Sequence, residues 1–227
     1  MTQAKGPEKR TVGGKPRKRN AERSRQLILE TALKHFAAKG YDGARIDDIV
    51  GETKLSKNLL YHYFGSKEEL FVAVLETIYE RFRGRHSVTA IADLPPIDAL
   101  RHLVDETANA LLATPEIISI LNTENLYRGA HIKKSKKIRS IYDPLFVDLN
   151  NVLERGKKTG EFRGNIDAVQ LYISLSSLIY HYLSNGHTLS VVLKQDLMTK
   201  ANLAARLKHV TDMVLRFCLP PELLGKA

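Results

Sequence analysis

Apolar residues recur at intervals of three and four positions through most of the chain, which places them on one face of an α-helix. In the first such segment, which begins at residue 22, Ile28, Leu33 and Phe36 share a face and the pattern stops at Gly40. Glycine commonly terminates helices. No segment alternates apolar and polar residues as a half-buried β-strand does, and there is no internal repeat. The pattern predicts an all-α protein.

Two short helices are predicted directly after the first one. Ile46 and Ile49 lie on one face of the segment 46–53, and Ser56 is a suitable N-cap for a helix over residues 57–64. A long helix followed by two short helices that are joined by a tight turn is the arrangement of a helix-turn-helix DNA-binding domain.

The remainder of the chain is also predicted to be helical. Ser66 and Glu69 have the spacing of a capping box, which opens a long fourth helix. Later helices are predicted from proline, cap and apolar-spacing signals: starts at Pro96, at Pro115 and after Asn165, and spans over residues 140–158 and 196–219.

Positive charge is concentrated in the N-terminal third of the chain. The formal net charge of the 227 residues is +10, and residues 1–67 contain 15 Lys and Arg against 7 Asp and Glu. Such a balance favours an acidic partner, which is nucleic acid, an anionic membrane or an acidic protein. Residues 1–21 are basic and almost devoid of apolar side chains, so we predict a disordered tail, which can also serve as an arm that binds DNA. The predicted domains are therefore this tail, a helix-turn-helix domain over residues 22–68 and a larger helical domain over residues 69–227.

Several functional classes receive no support from the sequence. The single cysteine, Cys218, excludes a disulfide framework, fits a reducing cytoplasm and is expected to be a buried apolar residue. There is no secretory signal and no apolar run suited to a membrane span. The histidines lack metal-ligand spacing, and no nucleotide-binding or catalytic motif is present. We expect a cytoplasmic protein that is not an enzyme and has no metal or cofactor.

Residues 57–64 divide into two faces when they are placed on a helical wheel. Leu60 and Phe64 fall together on an inner face, whereas Asn58, Leu59 and His62 fall on the outer face. A recognition helix needs this division, because the inner face docks it and the outer face meets base edges in the major groove.

The stretch GYDGARIDDIVGETKLSKNLLYHYFGSKEELF (Gly40–Phe71) resembles the DNA-binding domain of the tetracycline-repressor (TetR) family. The resemblance covers roughly residues 22–75 and is architectural beyond them. It implies phosphate contacts from Lys57, Tyr61 and Lys67, and base contacts from Arg45, Asn58 and Leu59. Asn58 and Leu59 stand where the family often has glycine and a small polar residue, so the DNA sequence read by a relative does not transfer to this chain. We expect Asn58 to pair with adenine and Leu59 to pack on a thymine methyl group.

The larger domain offers two sets of candidate residues. Polar-tipped aromatic residues in apolar helices are typical of small-molecule pockets, although they can equally be core residues: Tyr127, Tyr142, Tyr172, Tyr180 and His181. The resemblance implies a four-helix dimer interface made by the last two long helices, although a core within one chain is the alternative: Leu171, Leu175, Leu178, Leu203, Leu207, Val210, Val214 and Phe217. The basic run over residues 131–139 is expected to be a solvated helix face, with a second nucleic-acid patch as the alternative.

These features together predict a homodimeric regulator that binds double-stranded DNA at a palindromic operator. We expect a repressor that an unidentified small molecule releases, without contact with a membrane. The alternatives are a regulator that activates or needs no ligand, and a helical small-molecule-binding protein without a regulatory role.

Overall fold

The computed structural model describes residues 15–84 and 89–223, and the prediction of an all-α fold is confirmed. Within this part of the chain the regular structure is helical throughout, with short 3-10 turns at Ile132–Lys134 and Pro221–Leu223. The α-helices are α1 (Lys15–Gly43), α2 (Ile46–Thr53), α3 (Lys57–Phe64), α4 (Lys67–Gly84), α5 (Thr89–Ala92), α6 (Pro96–Ala113), α7 (Glu116–Leu126), α8 (Lys136–Ile141), α9 (Asp143–Thr159), α10 (Ala168–Ser184), α11 (Gly186–Val192) and α12 (Lys200–Cys218).

Helices α2 and α3 of the helix-turn-helix domain have the boundaries that the sequence predicts. The α1 segment is broken at Gly40, where φ is 68° and ψ is −179°, a conformation open essentially to glycine alone. Ser56 caps α3, because its Oγ accepts a hydrogen bond from the backbone N–H of Leu59 at 3.2 Å. The three helices meet at Phe36, Ile49 and Leu60, whose side chains are fully buried.

The start of α1 corrects the predicted length of the basic tail. Residues 15–21 are helical, so a disordered tail through residue 21 was too long. Lysine and arginine are good helix formers, and extending a helix that is already docked needs no new nucleation. The rest of the predicted tail, residues 1–14, lies outside the described residues.

Three helix ends in the larger domain also differ from the predictions. The span over residues 140–158 is two helices, α8 and α9, divided at Tyr142 just before Pro144. The cap of α10 is Asp167, whose carboxylate accepts from Gln170 N–H at 2.8 Å, and not Asn165. The last helix starts at Lys200, after the N-cap Thr199, because the preceding residues form a turn.

Helix α4 belongs to both domains. It packs against α1 and α3 and also against α6, α7 and α8. The predicted domain boundary at residue 68 falls in its first turn, yet Leu70, Phe71 and Val74 are fully buried. The core of the DNA-binding domain therefore continues several residues into α4.

A second connection between the domains is made by the segment after α7. Nδ1 of His131 lies 2.7 Å from Oε2 of Glu124, and both side chains have almost no exposed surface. The His131 ring lies 4.7 Å from the Tyr41 ring and 4.9 Å from the Phe71 ring. The hydroxyl of Tyr127 donates to the carboxylate of Asp42. These contacts fasten the end of α7 to the DNA-binding domain.

Candidate DNA-binding surface and ligand cavity

Helix α3 presents the two faces that its sequence predicts. Leu60 and Phe64 are buried, whereas Asn58 and His62 are exposed and Tyr61 is 40% exposed. Leu59 is half-buried, so only part of its side chain is free for a base contact. The outer face therefore offers an amide, an imidazole and a phenol for contact with a duplex, on a helix that its inner face holds in place.

Lys57 begins α3 and is held by a carboxylate in the single chain. Its ammonium lies 2.8 Å from Oδ1 of Asp47, and both side chains are exposed. The hydrogen bond from Lys57 to Asp47 raises the pKa of the lysine, which therefore stays charged. A phosphate contact from Lys57 requires the ammonium to leave Asp47 or to bind both groups.

Lys67 and Arg45 flank α3 on the neighbouring elements. The Lys67 ammonium donates to the carbonyl oxygen of Asp42 at 3.3 Å and lies 4.8 Å from the centroid of the Tyr41 ring. These contacts fix the cation at the N-terminal end of α4, where backbone N–H groups also favour an anion. Arg45 is exposed, immediately before α2.

A cavity of about 240 Å³ opens among the helices of the larger domain. Three of the five predicted pocket residues, Tyr142, Tyr172 and Tyr180, are among its walls. The hydroxyl of Tyr180 donates to Oδ1 of Asn122 at 2.7 Å. Burial raises the pKa of the Tyr172 and Tyr180 phenols, so both remain neutral at physiological pH. Its other walls are Phe82, Thr107, Leu111, Leu121, Asn125, Ser176 and Ser177.

The other two predicted pocket residues lie elsewhere. Tyr127 is at the junction of the two domains, where its hydrogen bond to Asp42 raises the pKa of the phenol to about 12. His181 is exposed on α10, beside Asn185 at 3.2 Å. Neither residue is therefore a wall of this cavity, because aromatic character alone does not show on which side of its helix a residue lies.

Two family profiles together match most of the chain. The profile described as "Bacterial regulatory proteins, tetR family" matches residues 28–74, and the one described as "Tetracyclin repressor-like, C-terminal domain" matches residues 96–214. This chain belongs to the TetR family. The family consists of helix-turn-helix transcriptional regulators, which agrees with the DNA-binding surface on α3.

Two relatives of this chain are named as HTH-type transcriptional repressors. The chain is 38% identical to the HTH-type transcriptional repressor NicS of Pseudomonas putida over 200 residues, which cover 88% of this chain and 94% of that one. It is 27% identical to the repressor AcnR of Corynebacterium glutamicum, over 70% of this chain and 74% of that one.

Solved structures of TetR-family proteins share the fold of this chain. A transcriptional regulator from Chloroflexus aurantiacus superposes with a TM-score of 0.63 at 21% identity, over 88% of this chain and 98% of that one. FadR from Bacillus subtilis, in complex with stearoyl-CoA, gives a TM-score of 0.60 at 16% identity, over 85% of this chain and 98% of that one.

The predicted dimer residues of this TetR-family chain are mostly part of its own core. Leu171, Leu175, Val210 and Val214 are buried between α10 and the helices around it, so a second copy cannot contact them in this conformation. In the single chain these four residues take the core positions that the alternative describes, and of the α12 stripe only Val210 and Val214 are buried. Leu178, Leu203 and Leu207 are half-buried, and Phe217 is 49% exposed.

The exposed sides of α10 and α12 carry different residues. Side chains four residues apart form an exposed row on each helix, and α12 also has a second, mostly charged exposed row from Lys200 to Arg216. The α10 row is Val169, Ile173, Ser177 and His181, and the α12 row is Ala201, Ala205, His209, Met213 and Phe217. We refer to these two rows together as the α10–α12 face.

Two arginines close to the candidate sites were not predicted. Arg25 on α1 lies over the Phe64 ring at 5.0 Å and places a cation beside the end of α3. Arg83, near the end of α4, is buried among aromatic rings. Each follows the apolar spacing of its helix, since Arg25 precedes Leu29 by four residues and Arg83 follows Tyr79 by four. A charged residue at a core-spaced position was the signal that could have found them.

The basic run over residues 131–139 is partly paired with α4. Lys134 lies 2.5 Å from Glu68, and Lys137 lies 2.8 Å from Glu80. These lysines therefore help to connect the two domains. Within residues 15–84 and 89–223, acidic, histidine and cysteine side chains form no group that could hold a metal ion. The helices of the same ranges include none with the length and apolar character to cross a bilayer.

Proposed function

We propose that the protein is a transcriptional repressor that binds a palindromic operator as a homodimer and is released when a small molecule binds its larger domain. The observation that carries the proposal is the outer face of α3, where Asn58, Tyr61 and His62 are exposed on a helix anchored by its buried inner face. The repressor name of NicS, which is 38% identical over 88% of this chain, supports repression rather than activation. A repressor of this kind acts in the cytoplasm and needs no catalytic activity.

The contacts proposed for α3 divide into two kinds. Lys57, Tyr61 and Lys67 bind phosphates and set the position of the helix, whereas Asn58 and the free part of Leu59 contact base edges. Arg45 and His62 lie at the edges of this surface, and each adds a donor toward the duplex. Asn58 can form two hydrogen bonds with adenine, which discriminate against other bases by about 1–3 kcal/mol.

Dimerisation is proposed through the α10–α12 face. Ile173 and Phe217, each 49% exposed, and Met213, 43% exposed, are large apolar side chains that a partner would cover. A two-fold interface brings the same face of two copies together, and two α3 helices then read two half-sites of a palindrome. The polar members of the rows, Ser177, His181 and His209, leave the face less apolar than the chain interior.

The repressor leaves its operator if the ligand binds a conformation that does not fit the operator better than the one that does. Only such a difference in affinity shifts an equilibrium between conformations. The walls of the cavity include Phe82 near the end of α4, and the start of α4 is in the core of the DNA-binding domain. A ligand that favours another position of α4 therefore changes the separation of the two α3 helices. The complex of FadR with stearoyl-CoA supports the view that this fold accommodates a ligand.

Selection of bound duplexes from a random library by the purified chain tests the DNA-binding part. We expect a palindromic consensus, and we expect Asn58→Ala to lose base preference at one position of each half-site. Asn109→Ala is a matched control, because Asn109 is exposed on α6 in the other domain. Recovery of no consensus, or an Asn58→Ala consensus identical to that of the parent, contradicts the proposed contacts.

Sedimentation of the free protein tests the dimer. Ile173→Glu and Phe217→Glu place charge in the proposed interface, so we expect monomers that bind the palindrome more weakly. Leu126→Glu is the control, since Leu126 is 84% exposed at the end of α7 and outside the α10–α12 face. Sedimentation of both interface variants as dimers would show that the copies associate through another surface.

A further inference from the structure

Arg83 is a buried cation without a hydrogen-bonding partner in the part of the chain that the structure describes. Its side chain is 6% exposed, and Nε, Nη1 and Nη2 are all buried without an acceptor. The guanidinium carbon lies 4.0 Å from the centroid of the Tyr142 ring and 5.1 Å from that of Tyr172. Contact with two aromatic faces attracts the cation but leaves all five of its N–H groups unused.

The same two tyrosines are walls of the 240 Å³ cavity. Among the described residues, the walls of this cavity include neither a carboxylate nor a cation, and Arg83 adjoins the cavity through its contacts with the wall residues Tyr142 and Tyr172. The buried acid Glu124 is fully engaged, because one oxygen accepts from two backbone N–H groups and the other contacts the His131 ring. The phenol of Tyr172 stays neutral, since burial raises its pKa. Nothing in the cavity walls neutralises Arg83.

An arginine stays protonated even when it is buried, so burial without a partner is unfavourable. A bound anion removes this penalty. The planar fork of a guanidinium matches the two oxygens of a carboxylate, which makes carboxylates its best-fitting small partners. The surrounding rings supply flat apolar surfaces, with the Tyr142 and Tyr172 rings inclined at 70° and their centroids 6.1 Å apart.

We propose that the effector of this protein is a small single-ring carboxylate, whose carboxylate binds Arg83 and whose ring lies among Tyr142, Tyr172 and Tyr180. The proposal rests on the function proposed above and specifies the chemistry of its ligand. The cavity volume of about 240 Å³ lies just below the range of about 300–1,000 Å³ that is usual for ligand pockets, which favours a single ring over a long chain. Asn125 is an exposed wall residue outside the α10–α12 face, so the cavity is open to solvent on its side.

Calorimetric titration of the purified full-length chain with benzoate and the three hydroxybenzoates tests the proposal. The matched amides of these acids serve as neutral ligands of the same shape. We expect at least one acid to bind on the order of 100-fold more tightly than its amide, because the amide cannot form the charge-assisted pair. We expect Arg83→Met to remove this preference and Arg83→Lys to retain part of it.

Arg206→Met is the control variant. Its guanidinium also lies over a tyrosine, 5.3 Å from the Tyr182 centroid, but it donates to the carbonyl oxygen of Leu178, and Tyr182 is not a wall of the cavity. We expect unchanged acid binding in this variant. Arg83→Met removes an unpaired buried charge, so the melting temperature of this variant without ligand should equal or exceed that of the parent. Such a melting temperature would show that a loss of acid binding is not caused by misfolding.

Three results overturn the proposal: no acid in the panel binds, the amides bind as tightly as the acids, or Arg83→Met binds the acids as tightly as the parent. Binding of the selected DNA duplex is measured separately with the same samples. If the parent chain binds its duplex but binds the acids no more tightly than their amides, the ligand chemistry alone is refuted. Tight, Arg83-dependent acid binding without any DNA binding refutes the proposed function.

Discussion

Replacement of Glu124 by alanine is expected to destabilise the protein and to loosen its two domains from each other. Glu124 is 2% exposed. Its Oε1 accepts from the backbone N–H groups of His131 at 2.8 Å and Ile132 at 3.0 Å, and Oε2 lies 2.7 Å from Nδ1 of His131. The substitution removes all three contacts and leaves a gap beside the His131 ring.

The expected loss in the free energy of unfolding follows from the hydrogen-bond donors that Glu124→Ala leaves without a partner. A buried donor that is left unsatisfied costs about 1–3 kcal/mol. His131 is buried, whereas Ile132 is half-buried and water can reach its N–H group. We therefore expect a loss of about 3–5 kcal/mol in the free energy of unfolding, which is a large share of the total of about 5–15 kcal/mol that domains possess. Glu124→Gln keeps one acceptor oxygen and should lie between the parent and Glu124→Ala.

Urea unfolding followed by circular dichroism measures this difference. Glu154→Ala is the matched control, because Glu154 is exposed and has only an i,i+3 ion pair with Lys157 at 3.9 Å. Such exposed pairs contribute at most about 1 kcal/mol. A Glu124→Ala variant within about 1 kcal/mol of the Glu154→Ala control would refute the reasoning, since the buried donors would then have found other acceptors.

Three other substitutions and one chemical treatment have defined outcomes. Gly156→Ala places a methyl group within 2.6 Å of the buried Phe162 ring and should destabilise by about 1–3 kcal/mol, whereas Gly51→Ala, with nothing within 4 Å, should stabilise by about 0.5–1 kcal/mol; both are measured by thermal unfolding. Asp47→Asn frees the lysine at the start of the recognition helix and should tighten binding to all duplexes by about two- to fivefold in a fluorescence titration. Burial raises the pKa of the Cys218 thiol to about 12, so Ellman's reagent should react at pH 8 only after denaturation, and rapid reaction of the native protein would contradict this burial.

The helix-turn-helix domain was predictable because local signals agree with its tertiary structure. Gly40, the Ser56 cap and the apolar spacing of α2 and α3 each act within a few residues, and all indicate the same boundaries. Burial of Leu60 and Phe64 followed from helical periodicity alone. The structure of a segment can be predicted from its sequence when local preference and tertiary packing agree.

The larger domain was less predictable, since its sites depend on which helices become neighbours. The apolar rows of α10 and α12 face the interior of the chain, but the same rows would suit a dimer equally well. Which tyrosines border the cavity depends on packing between α4, α6, α7, α9 and α10, and no local signal reports it. Arg83 was overlooked because a basic residue in the last turn of a helix normally caps its dipole in solvent.

The length of helix α4 determines how far a movement at the proposed ligand cavity would shift the DNA-binding surface. Its 18 residues form a rod about 27 Å long, with the Phe82–Arg83 pair near one end and the DNA-binding core at the other. A tilt of about 5° about the cavity end moves the far end of such a rod by about 2 Å. In a dimer with two-fold symmetry, both rods tilt in opposite senses, so the change in spacing between the recognition helices is twice that of either one. In this way a small ligand would release the proposed dimer from DNA, because the spacing of its two recognition helices must match the spacing of the major grooves that they enter.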